Sequence, residues 1–170
     1  ITPVTINILF VGIILFESAG VGRSTGEVPE TIQEMSSHLL AFTDALGLNE
    51  VDPDHYAGWS GELNACEADA RDMMGIADTQ GFKGTMLLTR GATRKSVITG
   101  ISSAAAKLKK GDIFLLTYSG HGGQVPDTNG DESDAQDETW CLYDGQMIDD
   151  ELDALLAKFA AGVRILVFSD

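Results

Sequence analysis

Cysteine is scarce in this chain. Only Cys66 and Cys141 occur among 170 residues, and no C-x-x-C pair exists. That excludes a zinc knuckle and a thioredoxin-type redox site. One disulfide between the two thiols is possible, but a chain of this length does not need one for a stable core. We expect both thiols to be reduced, as in a cytoplasmic protein.

Basic residues are also few. Lysine and arginine total 11 against 26 acidic residues, so the formal net charge is −15. A field of this sign repels phosphate backbones, which disfavours nucleic acid as a partner. Cations and cationic substrates are the favoured partners.

A long apolar run is missing as well. The longest covers residues 6–16, whereas a membrane span needs about 20 apolar residues. No basic residue precedes the run, as one would in a signal peptide. The run is either a buried strand or the remnant of a leader or anchor, and a membrane partner is not expected.

What remains is typical of a globular α/β domain, with 44% hydrophobic and 22% charged residues. The patterns predict helices over 67–79, 93–109 and 149–161, and strands over 84–89, 113–118, 139–143 and 163–168. Alternating strands and helices indicate a mostly parallel sheet. Sites in such sheets gather at the carboxyl ends of strands. The two apolar strands predicted over 113–118 and 163–168 are followed by residues that could carry chemistry, namely 119–123 and 169–170.

His121 lies between glycines in Ser-Gly-His-Gly-Gly, directly after a predicted strand. An imidazole there has room for a ligand and titrates near neutral pH, as a general acid or base must. The alternative is a hydrogen-bonded turn histidine, and the pattern alone does not decide between the two.

The segment after His121 is predicted to be an acidic loop. Residues 127–138 contain six carboxylates and no base, and Asp149 and Asp150 follow. Calcium prefers such oxygen-rich sites. An EF-hand is excluded because Glu132 stands where its loop requires glycine. The alternative is a solvated acidic loop. Asp69 alone fits a surface carboxylate near a helix N-terminus, and each cysteine alone fits a small buried hydrophobe.

Together these segments resemble the metacaspase-type, caspase-fold cysteine peptidases of family C14, in the style of prokaryotic members. The resemblance rests on residues 63–70, 111–122, 125–132, 137–141, 148–152 and 163–170, in that order. It implies a caspase-like three-layer α/β sandwich with a mostly parallel sheet, of which the C-terminal part is missing here.

The resemblance also implies site residues. His121 matches the catalytic histidine, and the N–H of Gly122 would help to form the oxyanion hole. Asp69 and Asp170 match the acidic pocket that receives Arg or Lys before the cleaved bond; a caspase-type preference for Asp would need basic residues there. Asp137, Asp149 and Asp150 match ligands of the calcium ion that activates many members.

Two departures from the family pattern matter. The nucleophilic cysteine should follow Asp170 by two residues, and neither Cys66 nor Cys141 occupies its position. We therefore expect residues 1–170 alone to be inactive. A non-enzymatic, calcium-binding pseudopeptidase that recruits partners is the alternative.

The second departure concerns the start of the chain. Gly47-Leu48-Asn49 resembles the triplet that ends the family's first strand. This predicts an N-terminal extension over residues 1–41, which leaves the run at 6–16 outside the core. The peptidase domain, in its large-subunit-like part, is then predicted over 42–170. A membrane-tethered peptidase that uses the apolar run is a weaker alternative.

Overall fold

The computed structural model of the chain describes residues 5–10, 51–61 and 66–170. Seven strands and three α-helices alternate along these segments. The strands are β1 (Thr5–Phe10), β2 (Lys83–Leu88), β3 (Ile113–Ser119), β4 (Gly122–Pro126), β5 (Gln136–Leu142), β6 (Gly145–Ile148) and β7 (Arg164–Ser169). The helices are α1 (Cys66–Thr79), α2 (Arg94–Lys107) and α3 (Asp149–Leu156). The predicted α/β class is confirmed.

The main sheet is parallel, with strand order β2-β1-β3-β7. In its register Leu116 of β3 lies opposite Val167 of β7, and Tyr118 lies opposite Ser169. The carboxyl ends of β3 and β7 therefore meet at one edge of the sheet. This is the arrangement that the sequence pattern predicted.

β1 lies within the apolar run at 6–16, for which a strand was one of the two alternatives. Its backbone pairs with β2 on one side and with β3 on the other. For residues 6–10 this favours the strand and corrects the expectation that they lie outside the domain core, whereas residues 11–16 lie outside the described residues. The predicted boundary between residues 41 and 42 and the triplet at 47–49 lie outside the described residues, so both stay predictions.

A second, smaller sheet is antiparallel, in the order β4-β5-β6. The prediction of an uninterrupted loop over 122–138 is wrong at both ends, because β4 and the start of β5 form a hairpin there. Their exposed side chains and two glycines mask the alternation that marks a strand. Only the turn between them is the acidic loop. β6 follows β5 through a tight turn at Gly145, where φ is +139°.

The core lies between β3, α2, α3 and the small sheet. Phe114, Leu116, Ile101, Leu142 and Met147 are almost completely buried. Each such side chain stabilises the fold by about 1.5–3 kcal/mol relative to an exposed one. The small sheet is thus attached to the main domain through a shared core, which holds its residues in place relative to β3.

β7 differs from the buried strand that its sequence predicts. Leu166, Val167 and Phe168 are all exposed, with 56% of Phe168 accessible. β7 is the outer strand of the described sheet and has β3 on one side only. The apolar run at 163–168 therefore predicted the strand correctly, and its side chains are exposed within residues 1–170.

Within the described residues, no helix combines the length and the apolar character needed to cross a membrane.

Candidate active site

The candidate site is built where β3 and β7 end. Asp170 donates its backbone N–H to Tyr118 O at 2.9 Å, and Gly120 N–H returns a bond to Asp170 O at 3.1 Å. These bonds extend the parallel pairing past both strands. Glycine at position 120 leaves room for the Tyr118 ring, because a Cβ there would lie 2.5 Å from the Tyr118 hydroxyl oxygen. The polar residues after the two strands are thereby brought side by side.

The backbone of His121 is held from two directions. Its carbonyl accepts the Tyr118 hydroxyl at 2.7 Å and the Cys141 N–H at 2.9 Å. Its imidazole has a different environment, because Nε2 is shielded from solvent and has no hydrogen-bond partner among the described residues. A fixed histidine with an unpaired ring nitrogen is suited to exchange a proton with a reacting group.

Gly122 presents its N–H away from the small sheet. Hydrogen-bonded and non-hydrogen-bonded pairs alternate in an antiparallel ladder. Because Cys141 N–H bonds to His121 O, the next pair, Gly122 with Trp140, is a non-hydrogen-bonded one. The Gly122 N–H therefore points outward beside the imidazole, as an oxyanion donor must.

Asp69 reaches the same edge from helix α1. Its Oδ2 accepts the Ser119 hydroxyl at 3.0 Å, and Ser119 is the last residue of β3. The predicted residues Asp69 and Asp170 are thus both brought to the end of β3. Ser119 itself was not predicted as a site residue, although its place two residues before His121 was a signal for it.

Trp140 joins three strands at this edge. Its indole stacks on the Tyr118 ring with centroids 4.4 Å apart and planes 7° apart. Its Nε1–H donates to Ser169 Oγ at 3.1 Å. These contacts tie β5 to β3 and β7, and the sequence analysis did not assign Trp140 a role.

A further segment covers His121. We call residues 51–61 the aromatic loop. Its Trp59 packs on the His121 imidazole with ring centroids 4.7 Å apart. The loop is bound to the small sheet through Tyr56, whose hydroxyl donates to Leu142 O at 2.6 Å, and through Asp52 N–H, which donates to Tyr143 O at 2.8 Å. The sequence indicated only turns here, but two aromatic residues within a glycine-rich turn were an available signal.

Six acidic residues form two groups, and within each group the carboxylate oxygens lie within 4.8 Å of one another. The first group is Asp127, Asp131 and Asp137, and the second is Glu132, Glu138 and Asp149. The resemblance-derived set is thus divided: Asp137 and Asp149 fall in different groups and Asp150 in neither. Asp150 is nonetheless close by, because it accepts Asn129 Nδ2–H at 2.6 Å.

The carboxyls of this cluster disturb one another's titration. Burial, followed by the charges of Asp127 and Asp150, raises the pKa of Asp137. Burial and the charge of Asp131 raise the pKa of Asp150. The Oδ1 atom of Asp149 is buried without a hydrogen bond to any described residue. A buried, unpaired carboxylate oxygen among mutually repelling carboxyls fits a site for a divalent cation.

A cavity of about 220 Å³ connects the two parts of the site. Its walls include Gly122, Trp140, Asp149 and Ser169. The outward-facing glycine and the acidic cluster therefore border the same space.

Neither cysteine occupies this edge as a nucleophile. Cys66 and Cys141 are both buried and no disulfide joins them. Burial raises the pKa of the Cys141 thiol above its ordinary value, which disfavours the reactive thiolate.

The family is decided by a match to known sequences. Residues 55–170 match the family model described as metacaspase, peptidase C14 domain. The chain belongs to the metacaspase family. The matched range includes Trp59, Asp69, His121 and Asp170.

Individual relatives agree with this assignment. The chain is 33% identical over 130 residues to metacaspase-1 of Mycosarcoma maydis, covering 68% of this chain and 32% of that protein. It is 32% identical over 118 residues to metacaspase-3 of Arabidopsis thaliana, covering 61% of this chain and 33% of that protein. A crystal structure of a Geobacter sulfurreducens protein aligns over 99% of this chain with 51% identity and a TM-score of 0.72.

The metacaspase chain described here is shorter than these relatives. It spans about a third of the length of the two metacaspases and half of the Geobacter chain.

Proposed function

We propose that the protein is a cysteine endopeptidase of metacaspase type, which cleaves after Arg or Lys and is activated by calcium. The observation that carries the proposal is the placement of His121 and Gly122 in a metacaspase domain. A buried, unpaired imidazole nitrogen and an outward-facing N–H lie together where β3 and β7 end. That is where acyl transfer needs a base and an oxyanion donor.

The nucleophile is proposed to follow Asp170 by two residues, as the family pattern implies. Residues 1–170 by themselves are then expected to cleave no peptide, because Cys66 and Cys141 are buried. In the full-length protein His121 takes the proton of the thiol, and the sulfur attacks the scissile carbonyl carbon. The Gly122 N–H binds the oxyanion. The C–N bond then breaks, His121 gives its proton to the leaving amine, and water hydrolyses the thioester to restore the thiol.

Two carboxylates support the preference for Arg or Lys. Asp69 and Asp170 flank the end of β3, and Ser119 holds Asp69 by one oxygen only. The other oxygen is left for a substrate cation. Guanidinium groups bind best to carboxylates that accept two bonds in one plane. The net charge of −15 further favours cationic peptides as partners over nucleic acid.

Calcium is proposed as the activator, held by Asp137, Asp149 and Asp150. The buried, unpaired Oδ1 of Asp149 and the raised pKa values of Asp137 and Asp150 support a cation at this cluster. When bound, the ion would neutralise the repulsion among these carboxylates. Because Asp137 belongs to β5, whose Trp140 and Cys141 lie opposite Gly122 and His121, the ion would stabilise the strand that holds the catalytic residues. We also propose a cytoplasmic location, because the chain has only two cysteines and no disulfide joins them.

A peptidase assay tests this proposal. The full-length protein is incubated with fluorogenic peptides that end in Arg, Lys or Asp, with calcium or with chelator. We expect cleavage after Arg or Lys only, dependent on calcium and abolished in His121→Ala. Undiminished cleavage by His121→Ala would overturn the assignment of the histidine. No cleavage of any peptide, with calcium still bound, would favour the alternative of a calcium-binding pseudopeptidase.

A further inference from the structure

Among the residues that the structure describes, no polar group orients the imidazole of His121 by a hydrogen bond. Neither ring nitrogen forms a hydrogen bond to any part of the chain that the structure describes, and Nε2 is shielded from solvent. Catalytic histidines are commonly oriented by an acceptor on the second ring nitrogen. Here the backbone of His121 is fixed by Tyr118 and Cys141, but those bonds do not determine the rotation of the ring.

Two parts of the aromatic loop contact the ring instead. The Trp59 indole lies 4.7 Å from it, centroid to centroid, with the planes inclined by 56°. Gly61 lies at the ring edge, where a Cβ would be 3.5 Å from His121 Cδ2 and 3.1 Å from a methyl group of Val51. Gly61 also has a φ of +61°, which favours glycine. The Gly61 backbone therefore lies directly beside the imidazole, although the tighter contact of a Cβ there would be with Val51.

The position of Trp59 is itself determined by the rest of the loop. The Tyr56 ring meets the indole edge to face at 5.8 Å, and Trp59 N–H donates to Tyr56 O at 3.0 Å. Tyr56 is attached to Leu142 at the end of β5, and Val51 is 1% exposed beneath the loop. A chain of contacts thus runs from the small sheet through Tyr56 and Trp59 to His121.

The exposure of Trp59 is the remaining observation. The side chain is 42% accessible, although indoles contribute most to stability when they are buried. An indole that is half exposed yet anchored by a second aromatic ring is placed for its contact with the imidazole rather than for the core.

We infer that Trp59 is the positioning residue of His121: its indole holds the imidazole in the orientation for proton transfer and shields it from water. This inference rests on the proposed function, because it assigns the orienting group for the same histidine. Aromatic packing orients the imidazole here, as a hydrogen-bonded carboxylate or amide does in other histidine-dependent enzymes. The alternative for an exposed indole at this place is a wall that contacts the substrate.

The test uses the full-length protein with Trp59→Phe, Trp59→Leu and Trp59→Ala. Ile76→Ala serves as the control, since Ile76 is exposed on the distant part of α1. Circular dichroism and thermal melting establish that each variant is folded.

The first readout is the reaction rate of His121 with diethyl pyrocarbonate, with the modified residue located by peptide mass. His55, exposed in the same loop, is the internal reference. The second readout is kcat and KM on an Arg peptide.

We expect His121 to react several-fold faster relative to His55 in Trp59→Leu and Trp59→Ala, and at nearly the native rate in Trp59→Phe. We expect kcat to fall by up to about 10²-fold in Trp59→Ala, as small misplacements of a catalytic group do. KM should stay nearly constant, and Trp59→Phe should restore most of kcat.

Two results would overturn the inference. Equal modification of His121 in all folded variants would show that the indole does not shield the ring. A rise in KM at constant kcat would instead make Trp59 a substrate contact. If the native protein cleaves no peptide, the proposed function fails, whereas the modification rates still decide the role of Trp59.

Discussion

At the scale of single residues, the site depends on hydrogen bonds that fix one atom and leave another available. Ser119 occupies Oδ2 of Asp69, Tyr118 and Cys141 occupy the carbonyl of His121, and the strand register leaves the Gly122 N–H unpaired with β5. The resemblance predicted His121, Gly122 and Asp69 by type and position. It did not assign roles to Ser119 or Trp59, because local signals mark them only as candidates and their contacts with Asp69 and His121 join residues distant in the sequence.

Asp69 provides the residue-scale prediction. Asp69→Asn in the full-length protein should lower kcat/KM for Arg peptides by about 10- to 100-fold, because a hydrogen bond to a charged group contributes about 1.5–3 kcal/mol. The matched control is Asp72→Asn, one turn further along α1 and exposed, which should leave kcat/KM unchanged. The measurement is steady-state cleavage of an Arg peptide and its Lys counterpart. Equal losses in both variants would mean that bulk charge, and not the Asp69 carboxylate, attracts the substrate.

At the scale of elements, local chemistry determines where the helices begin. Thr93, the first residue of the predicted helix, is the N-cap of α2, because its Oγ1 accepts Ser96 N–H at 3.1 Å. Side-chain oxygens at this position satisfy one of the unpaired N–H groups of a first turn. By contrast, α3 ends at Leu156 and not near Ala161 as predicted. Its apolar spacing continues past the point where the backbone turns toward β7.

The Thr93 cap provides the element-scale prediction. Thr93→Ala should reduce the free energy of unfolding by about 1 kcal/mol, the usual cost of removing an N-cap oxygen. Thr99→Ala, on the exposed face of the same helix, is the control and should change stability by little, since alanine is the better helix former. Urea denaturation followed by circular dichroism measures both. A loss no greater for Thr93→Ala than for Thr99→Ala would contradict the cap's contribution.

At the scale of the whole molecule, excess negative charge is concentrated in one turn of the small sheet. Burial raises the pKa values of Glu132, Asp137 and Asp150, assisted by neighbouring carboxylates. Asp127 differs, because the N–H groups of Gly130 and two nearby residues hold its pKa below the ordinary value. At Glu132, Asp137 and Asp150 the raised pKa means that the folded protein binds a proton more tightly than the unfolded chain does.

The pH dependence of stability follows from these directions. Without metal, the stability contributed by Glu132, Asp137 and Asp150 is complete below the ordinary carboxyl pKa of about 4 and is lost as the pH rises through their raised values. Asp127, whose pKa is lowered, contributes stability that is present above the ordinary carboxyl pKa and is lost as the pH falls. We therefore expect calcium to raise the thermal midpoint more at about pH 7.5 than at about pH 5, because protons compete with the ion for the same oxygens.

Two variants test this expectation. Asp150→Asn should reduce the calcium-induced rise in midpoint. Asp153→Asn, which removes an exposed charge from the same helix, should not. Calorimetry of metal-free protein with and without added calcium measures the rise in the thermal midpoint of each variant. An equal calcium effect at the two pH values, or an equal effect in both variants, would show that the ion only screens the general charge.

The sequence by itself determined the elements and the chemical types of the site. Periodicity and capping predicted the helices and the parallel strands, and a specific run of residues around His121 predicted the metacaspase family, since these patterns are local. The tertiary structure alone determined which residues and strands contact one another. It paired β4 with β5, placed β7 at the edge of the described sheet, divided the acidic residues into two groups, and brought Trp59 onto His121 across 61 intervening positions. The physical reason is that such contacts are chosen by the packing of the whole core and not by neighbouring residues in the chain.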